Sequence, residues 1–171
     1  MAIKNFFLNL RTKNALNNQS VVRKSTAPTQ TSRYGILFTS AGDDKAMIIR
    51  EFSKQLIGEG KNVRILEFIP KYKKNTPLSG FPNFTNKDVT LLGQINNADE
   101  ESFVKSDFDY LFLADLELHP VMINVLARSH AKCRVGLHAE GRTPFLDLMI
   151  QMPGKIEDLL SEMLIYIKKL S

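Results

Sequence analysis

Asp115, Glu117 and His119 are the sharpest local grouping of chemistry-bearing side chains in this 171-residue chain. If the backbone stays extended there, alternation puts all three on one face. Two carboxylates and an imidazole could then hold a divalent metal or act as acid and base. Pro120 points elsewhere: it makes His119 and its neighbours a helix entry, where acidic residues are favoured by the helix dipole alone. His138, after the next predicted strand, would strengthen a catalytic reading if it converged on the same cleft. No Ser/His/Asp, Cys/His or zinc spacing stands out elsewhere, and neither metal nor cofactor is expected.

These residues need a frame. Tyr110–Ala114 is a short, nearly unbroken apolar run, followed by an amphipathic segment over Val121–Arg128 and a second strand-like run, Cys133–Leu137. A continuous apolar run suits a strand covered on both faces, and the intervening length suits a helical crossover between parallel strands. A like unit opens the domain. YGILFT from Tyr34 is a strand; Ser40, three residues before Asp43, fits a capping pattern for a helix running to Leu56 or Ile57; Asn62–Phe68 is the next strand. Val89–Leu92 is a candidate third strand, Ala98–Lys105 a short acidic helix, Phe145–Met149 a further strand, and Ile156–Ile167 a closing helix. The expected fold is α/β, a single Rossmann-like domain with a mostly parallel sheet flanked by helices.

In such a sheet a ligand sits at the carboxyl ends of the strands, near the point where strand order reverses. The candidates are Thr39, Ser40, Asp43 and Asp44 after the first strand, Asp115, Glu117 and His119 after the central one, and His138, Glu140 and Arg142 after the next. TSAGDDK, the first of these loops, matches neither the dinucleotide nor the P-loop pattern. Its two aspartates stand where a phosphate would have to approach, which argues against nucleotide binding in the usual manner.

The formal net charge of +5 is unevenly spread. Residues 1–33 contain Lys4, Arg11, Lys13, Arg23, Lys24 and Arg33 and no acidic residue, so this segment alone is +6 and the remainder is −1. We divide the chain into a basic N-terminal helix and linker, 1–33, and the α/β domain, 34–171. Ile3, Phe6, Phe7 and Leu10 fall on one helical face. Three readings follow: the helix folds back so that Phe6, Phe7 and Leu10 cap the domain; Lys4, Arg11, Lys13, Arg23 and Lys24 bind a polyanion; or the segment is a removable targeting peptide. The connection after Phe68 interleaves Lys71, Lys73, Lys74 and Lys87 with Tyr72, Phe81 and Phe84. Stacking on unpaired bases is one reading and aromatic anchoring of the loop, which we prefer, is the other. The single cysteine, Cys133, fits a buried thiol in a reducing compartment, and no membrane span or secretory signal is expected.

YGILF near Tyr34, NVRILEF from Asn62, FTNKD from Phe84, FDYLF from Phe108, ARSHAKCRVGLH from Ala127 and FLDLMI from Phe145 together resemble an uncharacterised family of small Bacteroidota proteins, a domain of unknown function, over roughly residues 34–169. That resemblance implies no activity. More distantly, FDYLFLADL, the helix after it and AKCRVGL are similar to the N-terminal half of heptosyltransferase-type glycosyltransferases. This implies a Rossmann-like fold, but the chain lacks the second domain that holds the sugar nucleotide in such enzymes. The sequence thus predicts a non-catalytic binding or adaptor protein of the cytoplasm, with a peripheral membrane position as a variant. Its tail would meet nucleic acid, an anionic membrane or a protein partner. The alternative is a small enzyme related to the glycosyltransferase half-domain, with its site at the strand ends.

Overall fold

The apolar runs at Tyr34–Phe38 and Tyr110–Ala114 are buried on both faces, as the centre of a parallel sheet requires. The computed structural model describes residues 2–24, 27–29, 32–72, 79–151 and 154–170. In chain order the elements are α1 (Ala2–Asn17), β1 (Arg33–Thr39), α2 (Asp43–Gly58), β2 (Asn62–Ile69), β3 (Asn83–Thr85), α3 (Ala98–Val104), β4 (Tyr110–Leu113), α4 (Pro120–Arg128), β5 (Cys133–Leu137), β6 (Leu148–Ile150) and α5 (Ile156–Lys168). Among the described residues the strands form one six-stranded sheet, β3-β2-β1-β4-β5-β6, with every pair parallel. Ile36 of β1 sits opposite Ile65 on one side and Phe112 on the other, so β1 and β4 are the middle pair.

Right-handed crossovers decide where the helices go. The step from β1 to β2 runs one way across the sheet and the step from β4 to β5 runs the other way, so α2 and α4 land on opposite faces. Ile49, Phe52 and Leu56 of α2 pack with Leu159, Leu160, Met163 and Ile167 of α5 on one face. Phe103 of α3 and Val121, Met122, Val125 and Leu126 of α4 pack on the other, together with Leu8 of α1. The N-terminal helix therefore folds back onto the domain.

Of the face its hydrophobicity predicts, only Phe7 turns towards the domain, half-buried. Leu8 is 1% exposed, whereas Ile3, Phe6 and Leu10 are 68%, 65% and 45% exposed. The buried stripe is Leu8 and Thr12, one turn apart, flanked by the half-buried Lys4, Phe7, Ala15 and Leu16, with Gln19 half-buried just past the helix end. It is held by polar anchors. Asn124 Nδ2 donates to Thr12 Oγ1 at 3.0 Å, Lys4 Nζ to the Asn86 carbonyl at 2.8 Å, and Arg11 Nε to the Leu92 carbonyl at 2.7 Å. Gly93 lets the helix come close: its φ is +70°, and a Cβ there would lie 2.5 Å from Leu8 N.

Other local expectations shift. α2 begins at Asp43 with Gly42 as its N-cap and no side-chain cap bond, so Ser40 does not cap it; Ser40 N–H donates to the Phe68 carbonyl instead. The third strand is Asn83–Thr85, inside the connection after Phe68 and not at Val89–Leu92, where Val89 makes only an isolated antiparallel bridge to Ile95. Phe84 explains the difference, since its ring packs tilted against that of Phe68 at 4.9 Å and pins a short edge strand. Phe81 packs edge-on to Phe38 at 5.8 Å, in keeping with aromatic anchoring. Lys73 and Lys74, on which the base-stacking reading drew, lie outside the described residues. The last strand starts later than Phe145, at Leu148, because the N–H groups of Phe145 and Leu146 turn back to the Arg142 carbonyl.

Candidate functional site

The strand order reverses between β1 and β4, and the carboxyl ends of these two strands open onto a cavity of about 470 Å³. Thr39, Lys45, Asp115, Glu117 and His119 line it with Leu116, Leu118 and Ile156. Thr39 ends β1, Lys45 belongs to the first turn of α2, and the other three polar residues occupy the link from β4 to α4. The structure thus brings Asp115, Glu117 and His119 to one cavity. Glu140 and His138 do not line it, and His138 is exposed.

Asp115 is buried, and both of its oxygens are committed. Thr39 N–H donates to Oδ1 and Oδ2 at 2.9 and 3.1 Å, Thr39 Oγ1 donates to Oδ2 at 2.7 Å, and Lys45 Nζ forms an ion pair with Oδ1. Lys45 Nζ also donates to the Thr39 carbonyl at 3.0 Å. This knot ties β1, β4 and α2 together at their shared end. It leaves Asp115 no lone pair directed at a metal, and among the described residues no group of three or more His, Cys, Asp and Glu side chains could hold one.

His119 is the N-cap of α4, with Pro120 in the first turn, as the helix-entry reading expects. Its Nδ1 accepts from Val121 N–H at 3.2 Å, so the proton of the neutral ring sits on Nε2. Burial holds the imidazole below its ordinary pKa, and Asp115 works in the opposite direction. The ring packs 4.8 Å from that of Phe68. Arg142 is also buried, and donates to the Leu116 and Leu137 carbonyls at 2.8 and 3.1 Å, fixing the far side of the β4–α4 link. Burial lowers its pKa, and Asp115 again opposes the shift. Lys45 is the member that sequence reasoning missed. It was visible as the last residue of TSAGDDK, but the aspartates before it dominate that loop.

The basic residues of the N-terminal segment separate into two sets. Lys4 and Arg11 anchor α1 through carbonyls, as above, and Arg23 donates to the Ala131 and Ser129 carbonyls while its Nε donates to Gln19 Oε1. Burial, followed by the repulsion of Arg134, brings Arg23 down to about 10, which still leaves it charged at neutral pH. Lys13 and Lys24 keep exposed side chains. Along the outer face of α1 run Ile3, Phe6 and Leu10, and the adjoining turn adds the exposed Leu91 and Leu92.

No helix among the described residues is long and apolar enough to cross a membrane. Neither the curated proteins nor the solved structures contain a match to this chain. A family model described as "Family of unknown function (DUF6913)" matches residues 4–170, a span that takes in α1 as well as the sheet. The chain is a member of that family.

Proposed function

We propose that this protein is a non-catalytic binding protein that docks on an anionic membrane surface through the outer face of α1. The observation that carries this reading is the outward stripe of Ile3, Phe6 and Leu10 on a helix fixed to the domain by its other face. A carbonyl bond to Lys4, Arg11 or Arg23 orients the cation without neutralising it. Arg33, in β1, is paired with Asp107 and Asp109, but Lys4, Arg11 and Lys13 lie on α1 itself and keep their positive potential on the helix that carries the apolar stripe. Basic flanks attract anionic headgroups, and an apolar stripe gains by entering the interface between headgroup and acyl chain, which favours a bilayer over nucleic acid. The test is co-sedimentation of the full-length protein with phosphatidylcholine vesicles, with and without phosphatidylserine, at low and moderate salt. The reading predicts capture that needs phosphatidylserine and weakens with salt. Capture of RNA or of a protein partner in place of vesicles would refute it.

One observation supports a second reading, that of a small enzyme related to the glycosyltransferase half-domain. Lys45 and His119 meet at the cavity where open α/β sheets hold their ligands. With Asp115 saturated, Glu117, His119 Nε2–H and the remaining proton of Lys45 are, among the described residues, the groups free to meet a substrate. Nucleotide-sugar turnover lost in Lys45→Met and His119→Asn would support this reading, and the absence of turnover across sugar nucleotides would end it.

A further inference from the structure

A second opening lies between α1, the 93–97 turn, α3 and α4, a groove of about 690 Å³, within the range of small-molecule sites. Arg11, Lys105 and Arg128 line it. Arg128 is held at the wall by its Nη1, which donates to Glu100 Oε1 at 2.8 Å and to Asn124 Oδ1 at 3.4 Å. Among the described residues nothing engages its Nε and Nη2, the edge with which a guanidinium makes two parallel bonds to an oxyanion. Arg11 is fixed through Nε on the Leu92 carbonyl, and both of its terminal nitrogens are likewise unengaged among the described residues. Lys105 is paired only with the exposed Glu101 at 2.6 Å, a surface pair that a competing anion can displace. Glu100 is fully buried beneath Arg128, so the groove surface shows three cations against one carboxylate.

We propose that this groove binds a molecule bearing a phosphate monoester, held by the forks of Arg128 and Arg11 with Lys105 as a point charge. The exposed amides of Asn14, Gln94 and Asn96 are available to the rest of the ligand. Two pre-positioned guanidinium forks suit phosphate geometry, and a site half built by α1 couples the ligand to the docking of that helix. The proposal does not depend on the membrane reading: the two share Arg11, but the groove needs the forks of Arg11 and Arg128, and the membrane face needs Ile3, Phe6 and Leu10.

The test uses full-length protein and two sources of the same group, glycerol 3-phosphate by isothermal titration calorimetry and phosphatidylcholine vesicles with phosphatidic acid by co-sedimentation. Arg128→Lys keeps the charge that pairs with Glu100 but loses the fork, and Arg11→Gln and Lys105→Gln remove the other cations. Each is expected to weaken binding of at least one source about tenfold or more, while Lys54→Gln on α2 leaves it unchanged. Binding of glycerol 3-phosphate assigns a soluble ligand; binding of phosphatidic acid alone, beyond phosphatidylserine at equal charge, assigns a headgroup. The proposal is overturned if neither probe binds up to millimolar concentration, or if Lys54→Gln weakens binding as much as the groove variants do. Loss of phosphatidylserine capture with glycerol 3-phosphate binding intact would refute only the membrane reading.

Discussion

Asp115 shows what a buried carboxylate does when every lone pair is used. Its ion pair with Lys45 joins side chains that are 3% and 12% exposed, so removing one partner strands the other in low dielectric. Asp115→Asn is therefore expected to lower unfolding free energy by about 3–5 kcal/mol. Pairing it with Lys45→Met should recover part of that loss, because no unpaired charge remains. Urea titrations of the two single variants and the double variant measure the coupling, and strict additivity would show that the pair does not act as a unit. His119 gives a pH prediction. Its folded pKa lies below the ordinary 6.5, so the unfolded chain binds the proton more readily. Stability from this group is complete above 6.5 and declines as pH falls below it towards the depressed folded value. Asparagine also caps helices well, so His119→Asn should keep the fold and remove this part of the acid-side decline. Calorimetric melts of both proteins above and below pH 6.5 check it; identical pH profiles would remove His119 as the cause.

At the scale of elements, the central strands and the helices that cover them were legible because burial on both faces leaves unbroken apolar runs and burial on one face leaves a helical period, whereas the short edge strands β3 and β6 carry neither signal. Tyr110–Leu113, Cys133–Leu137 and Ile156–Lys168 all follow from that. The docking face of α1 was not legible. Beside Leu8, the inner face depends on Lys4 and Thr12, and on Gln19 just past the helix end, which are held by hydrogen bonds with Asn86, Asn124 and Ala127, partners that no local pattern reveals. The Lys45–Asp115 knot escaped for a like reason, since its members lie 70 positions apart. The two faces of α1 make opposite predictions. Leu8→Ala should cost about 2–5 kcal/mol, as a deep core truncation does, whereas Phe6→Ser should change stability by less than about 0.5 kcal/mol. Gly93→Ala places a methyl group against the α1 backbone in a left-handed conformation. It should lift the helix, and faster tryptic cleavage at Arg23 and Lys24 would report that. Cleavage at the wild-type rate would mean that close packing at Gly93 is not what seats α1.

On the scale of the whole molecule, residues 1–33 carry +6 and the remainder −1, and the family match runs through both. The fold-back of α1 turns a basic tail into a fixed surface. Lys4 is spent on anchoring the inner face, while Arg11 and Lys13 are exposed on the helix that carries Ile3, Phe6 and Leu10, next to the turn of Leu91 and Leu92. Apolar stripe and positive potential on one rigid helix are what the membrane reading rests on. The most direct test is vesicle partitioning of the double variant Phe6→Ser, Leu10→Ser beside wild type, on phosphatidylcholine vesicles containing phosphatidylserine, with thermal melts of both. Both side chains are exposed, so the melts should coincide while partitioning falls about tenfold or more, the equivalent of losing interfacial burial of two large apolar groups. Equal partitioning of the two proteins would contradict the account and leave the outer face of α1 without the role assigned to it.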